Sequence, residues 1–176
     1  MSLERKRREM AGQNKTNVAA EPGKQEMTIT REFDAPRELV FKAFTDPGLV
    51  PQWWGPGRLS TLVDKLDARS GGQWRFINQD PDGNEYGFHG VYHEILAPER
   101  IIDTFEFEGL SEAGHVALET LTLEALPGGR TRLTTQSVFQ SVADRDGALQ
   151  SGMEEGLNDS YERLTALLEK IQEQAR

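Results

Sequence analysis

ALQSGMEEGLNDSYERLTALLEKI, residues 148–171, is the stretch that decides the fold. Its apolar residues recur at steps of three and four, and such steps place side chains on one face of an α-helix. The sequence therefore predicts one long, one-sided helix within residues 141–176, whose apolar face needs a sheet to cover it. The stripe consists of Leu149, Met153, Leu157, Tyr161, Leu164, Leu168 and Ile171.

A second row of this stretch, four residues apart, has almost no side-chain volume: Gly152, Gly156 and Ser160. Each glycine in a helix interior costs about 1 kcal/mol relative to alanine, so something should compensate. Two interpretations remain open. The small residues let helix and sheet backbones approach closely, or the missing bulk leaves a cavity for a ligand.

The hundred residues before this helix read as strands separated by short, turn-like breaks. Short connections join antiparallel neighbours. We therefore expect an α+β fold of the helix-grip type, with a curved antiparallel sheet of about six to seven strands wrapped around the C-terminal helix. Two short helices, beginning near Asp34 and Asp46, should follow the first strand. The strand candidates are residues 27–33, 59–66, 73–79, 86–96, 101–108, 116–126 and 130–139.

Length and composition predict one domain, residues 26–174, behind a disordered tail, residues 1–25. The tail has almost no aromatic or β-branched residues, so it cannot offset the entropy of ordering. Its basic cluster at residues 5–8 is interpreted as solvated. A chain of 176 residues can bury roughly 70 % of its unfolded surface in one core.

Composition also excludes several function classes. Without cysteine there is no disulfide, thiolate nucleophile or thiolate metal site, so we expect a cytoplasmic protein. The net charge of -9 disfavours nucleic acid as a partner, and no apolar run is long enough for a membrane span. A histidine-based metal site is not expected, because His89 and His93 in one strand lie roughly 13 Å apart. No cofactor motif is present.

Strand parity indicates which side chains face the helix. Trp74, Phe76, Phe105 and Leu121 belong to a bulky inward set. Asp103 shares that face, and a buried carboxyl there would have a perturbed pKa and be a functional candidate; a strand-end bulge or an ion pair is the plainer alternative. For residues 86–96, alternation does not choose between the face of Tyr92 and that of His93. Of the two tryptophans that follow the short helices, Trp53 is predicted to anchor the core and Trp54 to contact a ligand.

Several segments, in this order and spacing, resemble one family. They are Phe33-Asp34-Ala35-Pro36, Ala43-Phe44-Thr45-Asp46-Pro47, Trp53-Trp54-Gly55-Pro56, Leu66-Asp67-Ala68-Arg69-Ser70-Gly71-Gly72, Pro98-Glu99-Arg100-Ile101 and Gly128-Gly129-Arg130-Thr131-Arg132-Leu133-Thr134. Over residues 26–172 the chain resembles the stand-alone bacterial proteins similar to the C-terminal domain of the eukaryotic heat-shock chaperone ATPase activator. That family belongs to the START-like, birch-pollen-allergen-like superfamily, also called SRPBCC.

The resemblance implies a hydrophobic cavity between the sheet and the long helix. Members of the superfamily bind lipids, steroids or polyketides, and some are cyclases or dehydratases. Met153 stands where many relatives carry tryptophan, which implies a cavity of different shape. The sequence lacks the separate N-terminal domain with which the eukaryotic activator engages its chaperone, which argues against a chaperone-activating role.

The leading hypothesis is a non-enzymatic binding protein for a small apolar or aromatic molecule. A cyclase or dehydratase that uses the same cavity is the alternative, and a chaperone-associated interaction module is the third. A homodimer is left open. No catalytic set is assigned. The predicted ligand-binding residues are Trp54, Trp74, Phe76, Tyr92, His93, Asp103, Phe105, Leu121, Gly152, Met153, Gly156 and Leu157.

Overall fold

The computed structural model describes residues 14–176 as one antiparallel sheet and three α-helices. The strands are β1 (Asn17–Ala19), β2 (Glu26–Phe33), β3 (Ser60–Leu66), β4 (Gln73–Gln79), β5 (Glu85–Leu96), β6 (Arg100–Phe107), β7 (Val116–Leu126) and β8 (Arg130–Val138). The helices are α1 (Arg37–Thr45), α2 (Val142–Gln150) and α3 (Met153–Gln174).

The eight strands follow the order β1-β2-β8-β7-β6-β5-β4-β3, and every neighbouring pair is antiparallel. Strands β3 to β8 form a continuous meander, as their short connections require. After β2, helix α1 and the loop that follows it carry the chain to the far edge of the sheet, where the meander begins with β3. The meander ends with β8, which pairs with β2.

This architecture confirms the predicted helix-grip fold. Each of the seven predicted strands is present, with ends within one residue of the predicted ends. The additional strand, β1, falls inside the tail that the sequence predicted to be disordered. It is three residues long and has little alternation to reveal it, and it forms by pairing with the edge of β2. Residues 1–13 of that predicted tail lie outside the described residues.

The two short helices after the first long strand differ from each other. α1 begins after Pro36, and Asp34 does not cap it but accepts a hydrogen bond from Arg130 Nε at 2.7 Å. The second helix is only a 3-10 turn, Val50–Gln52. Its length is limited because Pro51 cannot donate a backbone hydrogen bond.

The predicted single C-terminal helix is wrong in one respect: it is broken between α2 and α3. Gly152 has a φ of +82°, which places it in the left-handed region rather than in a helix interior. Ser141 caps α2 by accepting a hydrogen bond from the Asp144 N–H at 3.0 Å. The apolar stripe continues across the break, so periodicity alone could not reveal it.

The sheet curves around α3 and buries that helix's apolar face. Trp53, between the 3-10 turn and β3, is buried as predicted, and its Nε1–H donates to the Ala43 carbonyl at 2.9 Å. We call this region the packed half of the concave face; its side chains are at most 2 % exposed. The packed half comprises Phe33, Trp53, Leu123, Leu133 and Leu164.

A candidate ligand site on the concave face

A row of polar side chains crosses the concave face of the sheet beyond the packed half. Tyr92 on β5 pairs with Asp103 on β6, Asp103 pairs with Glu119 on β7, and Glu119 pairs with Ser137 on β8. Direct cross-strand partners have Cβ atoms about 4.5–5.5 Å apart. Four polar residues on four adjacent strands therefore face the interior side by side.

The two carboxyls in this row are desolvated. Burial raises the pKa of Asp103 well above its usual range, and the neighbouring Glu119 raises it further. Burial also raises the pKa of Glu119 to about 7, against a hydrogen bond of 3.2 Å from the Ser137 hydroxyl that lowers it. Two adjacent carboxyls in a low-dielectric setting resist ionising together. The pair therefore holds a proton to higher pH than isolated carboxyls do.

Desolvated as they are, Asp103 and Glu119 are half-buried rather than buried. Both lie on central strands of the sheet, on the side that faces the core. Both side chains therefore keep some accessible surface although burial raises their pKa values. Tyr92 and Ser137, at the ends of the row, are buried.

Two buried polar atoms next to the row have no hydrogen-bond partner among the described residues. Trp74 is 4 % exposed, and its indole Nε1–H is directed at Asp103, where it lowers the pKa of that carboxyl, yet it falls short of hydrogen-bond geometry. Thr135 Oγ1 lies beside the Tyr161 hydroxyl, and it too is buried without a hydrogen-bond partner among the described residues. An unsatisfied buried polar atom costs about 1–3 kcal/mol, and native structures keep few of them.

An aromatic wall adjoins the polar row. Trp54 packs edge-on against Trp74, Phe76 and Phe88, with ring centroids 6.5, 5.1 and 5.2 Å away. Phe88 continues the wall to Phe105 at 5.6 Å. Trp54, Phe88 and Phe105 are half-buried although they point inward. We call this region the open half of the concave face, consisting of Trp54, Phe88, Phe105, Asp103 and Glu119.

Hydrogen bonds hold the loop that carries Trp54 to helix α3 and to strand β3. Arg163 on α3 donates to the Gly55 carbonyl at 2.8 Å, and Thr61 on β3 donates to the Trp54 carbonyl. Gly55 has a φ of +86°, and a Cβ there would lie 2.7 Å from Asn78 Oδ1. Only glycine fits this turn, which aims Trp54 across the mouth of the concave face.

Most of the predicted ligand-binding residues are brought together on the concave face. Gly156 is half-buried, and a Cβ added there would meet nothing within 4 Å, so the small residue is not explained by close backbone approach. The others of this group are Trp54, Trp74, Phe76, Tyr92, Asp103, Phe105, Leu121, Met153 and Leu157, all in or against the core cluster or the polar row.

Two predicted residues lie apart from that group. His93 is exposed at a register shift between Tyr92 and Glu94, and this bulge also settles that Phe88, Gly90 and Tyr92 face inward. Gly152 is exposed at the break before α3.

Sequence reasoning missed Glu119, Thr135 and Tyr161 as members of the site. Glu119 shares its face with Leu121 and Leu123 at a spacing of two, which is the signal that could have found it. Tyr161 was counted only as part of the apolar stripe. Its hydroxyl reaches the polar row because α3 crosses the sheet there, and burial, with Glu119 nearby, raises its pKa.

Two surface depressions lie outside the concave face. One, of about 350 Å³, is on the convex face and is bordered by Arg75, His89 and Glu108. There Arg75 donates two hydrogen bonds to Glu108 at 2.8 and 2.9 Å and holds the pKa of that carboxyl at about 2. The other, of about 580 Å³, lies beside the start of α3. Charged side chains border both depressions.

Within residues 14–176, no group of three or more carboxylate or imidazole side chains is placed to hold a metal ion. None of the helices in the same range is both long and apolar enough to cross a membrane.

Residues 34–169 match the family model described as Activator of Hsp90 ATPase homolog 1-like protein. The chain is similar in structure to a protein from Arthrobacter aurescens (27 % identity, TM-score 0.79, 88 % of this chain and 91 % of that one). It is also similar to protein Ms6760 from Mycobacterium smegmatis (26 %, 0.77, 89 % and 99 %) and to the AHSA1 protein from Silicibacter pomeroyi (25 %, 0.67, 81 % and 96 %). No curated protein matches the chain significantly.

Proposed function

The chain belongs to the family of Activator of Hsp90 ATPase homolog 1-like proteins, and from that premise we propose that it binds a small apolar or aromatic molecule in the open half of its concave face. The observation that carries the proposal is the accessible surface kept by large inward-facing aromatic side chains, Trp54, Phe88 and Phe105, next to desolvated carboxyls. Apolar side chains on the core side of a sheet are otherwise covered, as those of the packed half are.

Desolvation of the ligand and of the aromatic wall would drive binding. A naphthalene-sized group that removes about 200 Å² of apolar surface from water contributes about 5 kcal/mol at 25 cal/mol per Å². That corresponds to a Kd of roughly 0.2 mM before polar contacts are counted. Offset and edge-on contacts with Trp54 and Phe88 add selectivity for flat rings.

Trp54 supplies the clearest test, because it is half-buried and lies across the aromatic wall. We expect 1-naphthalenemethanol to bind the parent protein saturably in isothermal titration calorimetry. Trp54→Ala should weaken that binding at least about fivefold, since it removes one face of the site. Calorimetry is preferred to fluorescence because the variant loses a fluorophore.

Leu62→Ala is the matched control. Leu62 is on edge strand β3, 60 % exposed, and away from the aromatic wall, so its removal should leave the affinity unchanged. Urea unfolding of both variants checks that they are folded. If the parent gives no saturable heat up to millimolar probe, or if Trp54→Ala binds as well as the parent, the proposal is wrong.

A second candidate function is acid–base catalysis in the same space, and the Asp103–Glu119 pair is the observation that favours it. Groups that titrate near neutral pH suit general acid–base chemistry. Asp103→Asn separates the candidates: turnover of a bound molecule that is lost while binding persists indicates catalysis, whereas loss of binding indicates recognition.

A further inference from the structure

The acid pair indicates a chemical class for the ligand, and this inference rests on the proposed function. We propose that the ligand is an aromatic or apolar amine, whose protonated nitrogen lies between Asp103 and Glu119 while its apolar part lies against the aromatic wall of the open half. The combination of two inward carboxyls with five surrounding aromatic rings is the basis for this assignment.

The acceptors fit an ammonium group. An ammonium has three N–H donors, and the polar row offers the carboxyl oxygens of Asp103 and Glu119. The third acceptor is Thr135 Oγ1, which is buried and has no partner among the described residues. Thr135 lies two residues from Ser137 on β8, so it is a diagonal neighbour of Glu119 on the same face. Thr135 Oγ1 is thus an independent, unsatisfied acceptor next to the carboxyl pair.

The indole N–H of Trp74 favours the ionised form of Asp103, which is the form that a cationic ligand requires. Its indole N–H is buried and unpartnered, and it is aimed at Asp103. An ammonium that stabilises the ionised carboxylate would turn this orphan donor into a charge-assisted hydrogen bond. One buried donor and one buried acceptor, on opposite sides of the acid pair, would both be satisfied.

The rings around the pair suit a cation as well. Phe105 lies two residues from Asp103 on the same face of β6, and Trp74 packs against Phe105 with their ring centroids 5.9 Å apart. An ammonium placed over the face of either ring, within about 6 Å of its centroid, would gain cation–π attraction.

The charges that face the pair from the surrounding elements do not supply a cation. Tyr92 on β5 and Tyr161 on α3 are neutral, since burial raises the pKa of each phenol. Arg31 on β2 is a cation near Tyr161, and its terminal nitrogens donate to Thr16, Glu162 and Thr165 at 2.9–3.1 Å. The acid pair has no basic partner among residues 14–176, unlike the exposed carboxylates of the convex face.

An anionic ligand is disfavoured by the same geometry, because it would meet two acidic groups without a compensating cation. A neutral ligand would leave the pair protonated and Trp74 unsatisfied. Only a cationic nitrogen uses the carboxyls, the Thr135 oxygen and the indole N–H together.

Three naphthalenes that share one ring system provide the test. They are 1-naphthylmethylamine, which is protonated at pH 8, 1-naphthalenemethanol, which is neutral, and 1-naphthoic acid, which is anionic. By calorimetry at pH 8 we expect the amine to bind about tenfold tighter than the alcohol, and the acid to bind weakest, because only the amine makes charge-assisted contacts. At pH 5, below the pKa of about 7 of Glu119, that carboxyl is protonated and the amine's advantage should shrink.

The variant Glu119→Gln keeps the shape of the site and removes half of the acid pair. It should reduce the ratio of amine to alcohol affinity to about two or less at pH 8. Glu124→Gln, at a 61 % exposed carboxylate on the same strand, should leave the ratio at its parental value. Thermal unfolding of both variants confirms folding.

The outcomes separate the two proposals. If neither the amine nor the alcohol binds, ligand binding in the open half is wrong, and the amine inference falls with it. If the alcohol binds but the amine is no tighter, or if the preference survives Glu119→Gln, ligand binding stands and the amine assignment is overturned.

Discussion

The packed half and the open half of the concave face are built from the same sheet but differ in how far their inward side chains are buried. Phe33, Leu133 and Leu164 in the packed half are at most 1 % exposed. Asp103, Glu119 and Phe105 in the open half are half-buried, and the carboxyls there are desolvated without a cationic partner among residues 14–176. The packed half is stabilised by the close packing of apolar side chains, whereas the open half contains buried polar groups that lower the stability of the fold.

This difference is the basis for the proposed ligand site. Unsatisfied Trp74 Nε1 and Thr135 Oγ1, and the raised pKa of Glu119, each cost stability. A buried polar cluster could be replaced by apolar residues of similar size at no loss, or even a gain, of stability. Such groups lie together next to accessible aromatic rings, and this arrangement supports the proposed binding site.

Truncation in α3 should show the largest contrast between the halves. Leu164→Ala leaves a cavity in the packed half and should lower the free energy of unfolding by about 4 kcal/mol. Leu157→Ala, at the half-buried start of the same stripe, should cost no more than about 1.5 kcal/mol, because less apolar area returns to water. Urea unfolding at pH 7 measures both. Equal losses would show that α3 is packed as tightly at Leu157 as at Leu164.

Replacing Glu119 tests whether the open half is stabilised or destabilised by its acid pair. The pKa of Glu119 is about 7 in the folded protein and close to its ordinary 4.5 when unfolded. The folded state therefore holds a proton that the unfolded state has released, and the stability present below pH 4.5 is lost as the pH rises to about 7. This shift corresponds to a penalty of about 3 kcal/mol above pH 7.

Glu119→Gln removes that penalty. At pH 8 we expect the variant to be more stable than the parent by up to about 3 kcal/mol, and at pH 4 to be about as stable. Urea unfolding at the two pH values measures the difference. A variant less stable than the parent at pH 8 would mean that the Glu119 carboxylate stabilises the folded protein, which contradicts the prediction.

The two glycines at the start of α3 give the smallest and most local contrast. Gly156 is helical with open space where a Cβ would lie, so Gly156→Ala should raise the free energy of unfolding by about 1 kcal/mol. Gly152 has a φ of +82°, so Gly152→Ala should lower it by about 1 kcal/mol. Thermal unfolding distinguishes the opposite signs. If both variants lose stability, the space beside Gly156 is closed in solution.

Much of the fold could be read from local patterns. Alternation placed seven strands within one residue of their observed ends, and steps of three and four gave α3 its buried face. The break at Gly152 could not be read this way, because the stripe runs on through residues 149–157 and a backbone dihedral leaves no trace in hydrophobic periodicity. Strand β1 was not predicted for a related reason, because its three residues carry too little alternation and form a strand only by pairing with the edge of β2.

The candidate site was only partly accessible to the same reasoning. Asp103 stood out as a carboxyl on an apolar face, and Trp54 was assigned to the ligand side. The face of residues 86–96 stayed open until the bulge after Tyr92 resolved it and left His93 exposed. Glu119 became a partner of Asp103 only through strand register.

The sequence by itself determined most of the secondary structure, the antiparallel pairing of neighbouring strands and the inward position of most aromatic residues, because these follow from periodicity and turn length between neighbours along the chain. The tertiary structure alone decided that Tyr92, Asp103, Glu119 and Ser137 form one row and that Thr135 and Trp74 lie beside it unsatisfied. These residues come from five strands, and pKa shifts and orphan polar atoms depend on distances and desolvation that arise only when the strands pair and α3 excludes water from them.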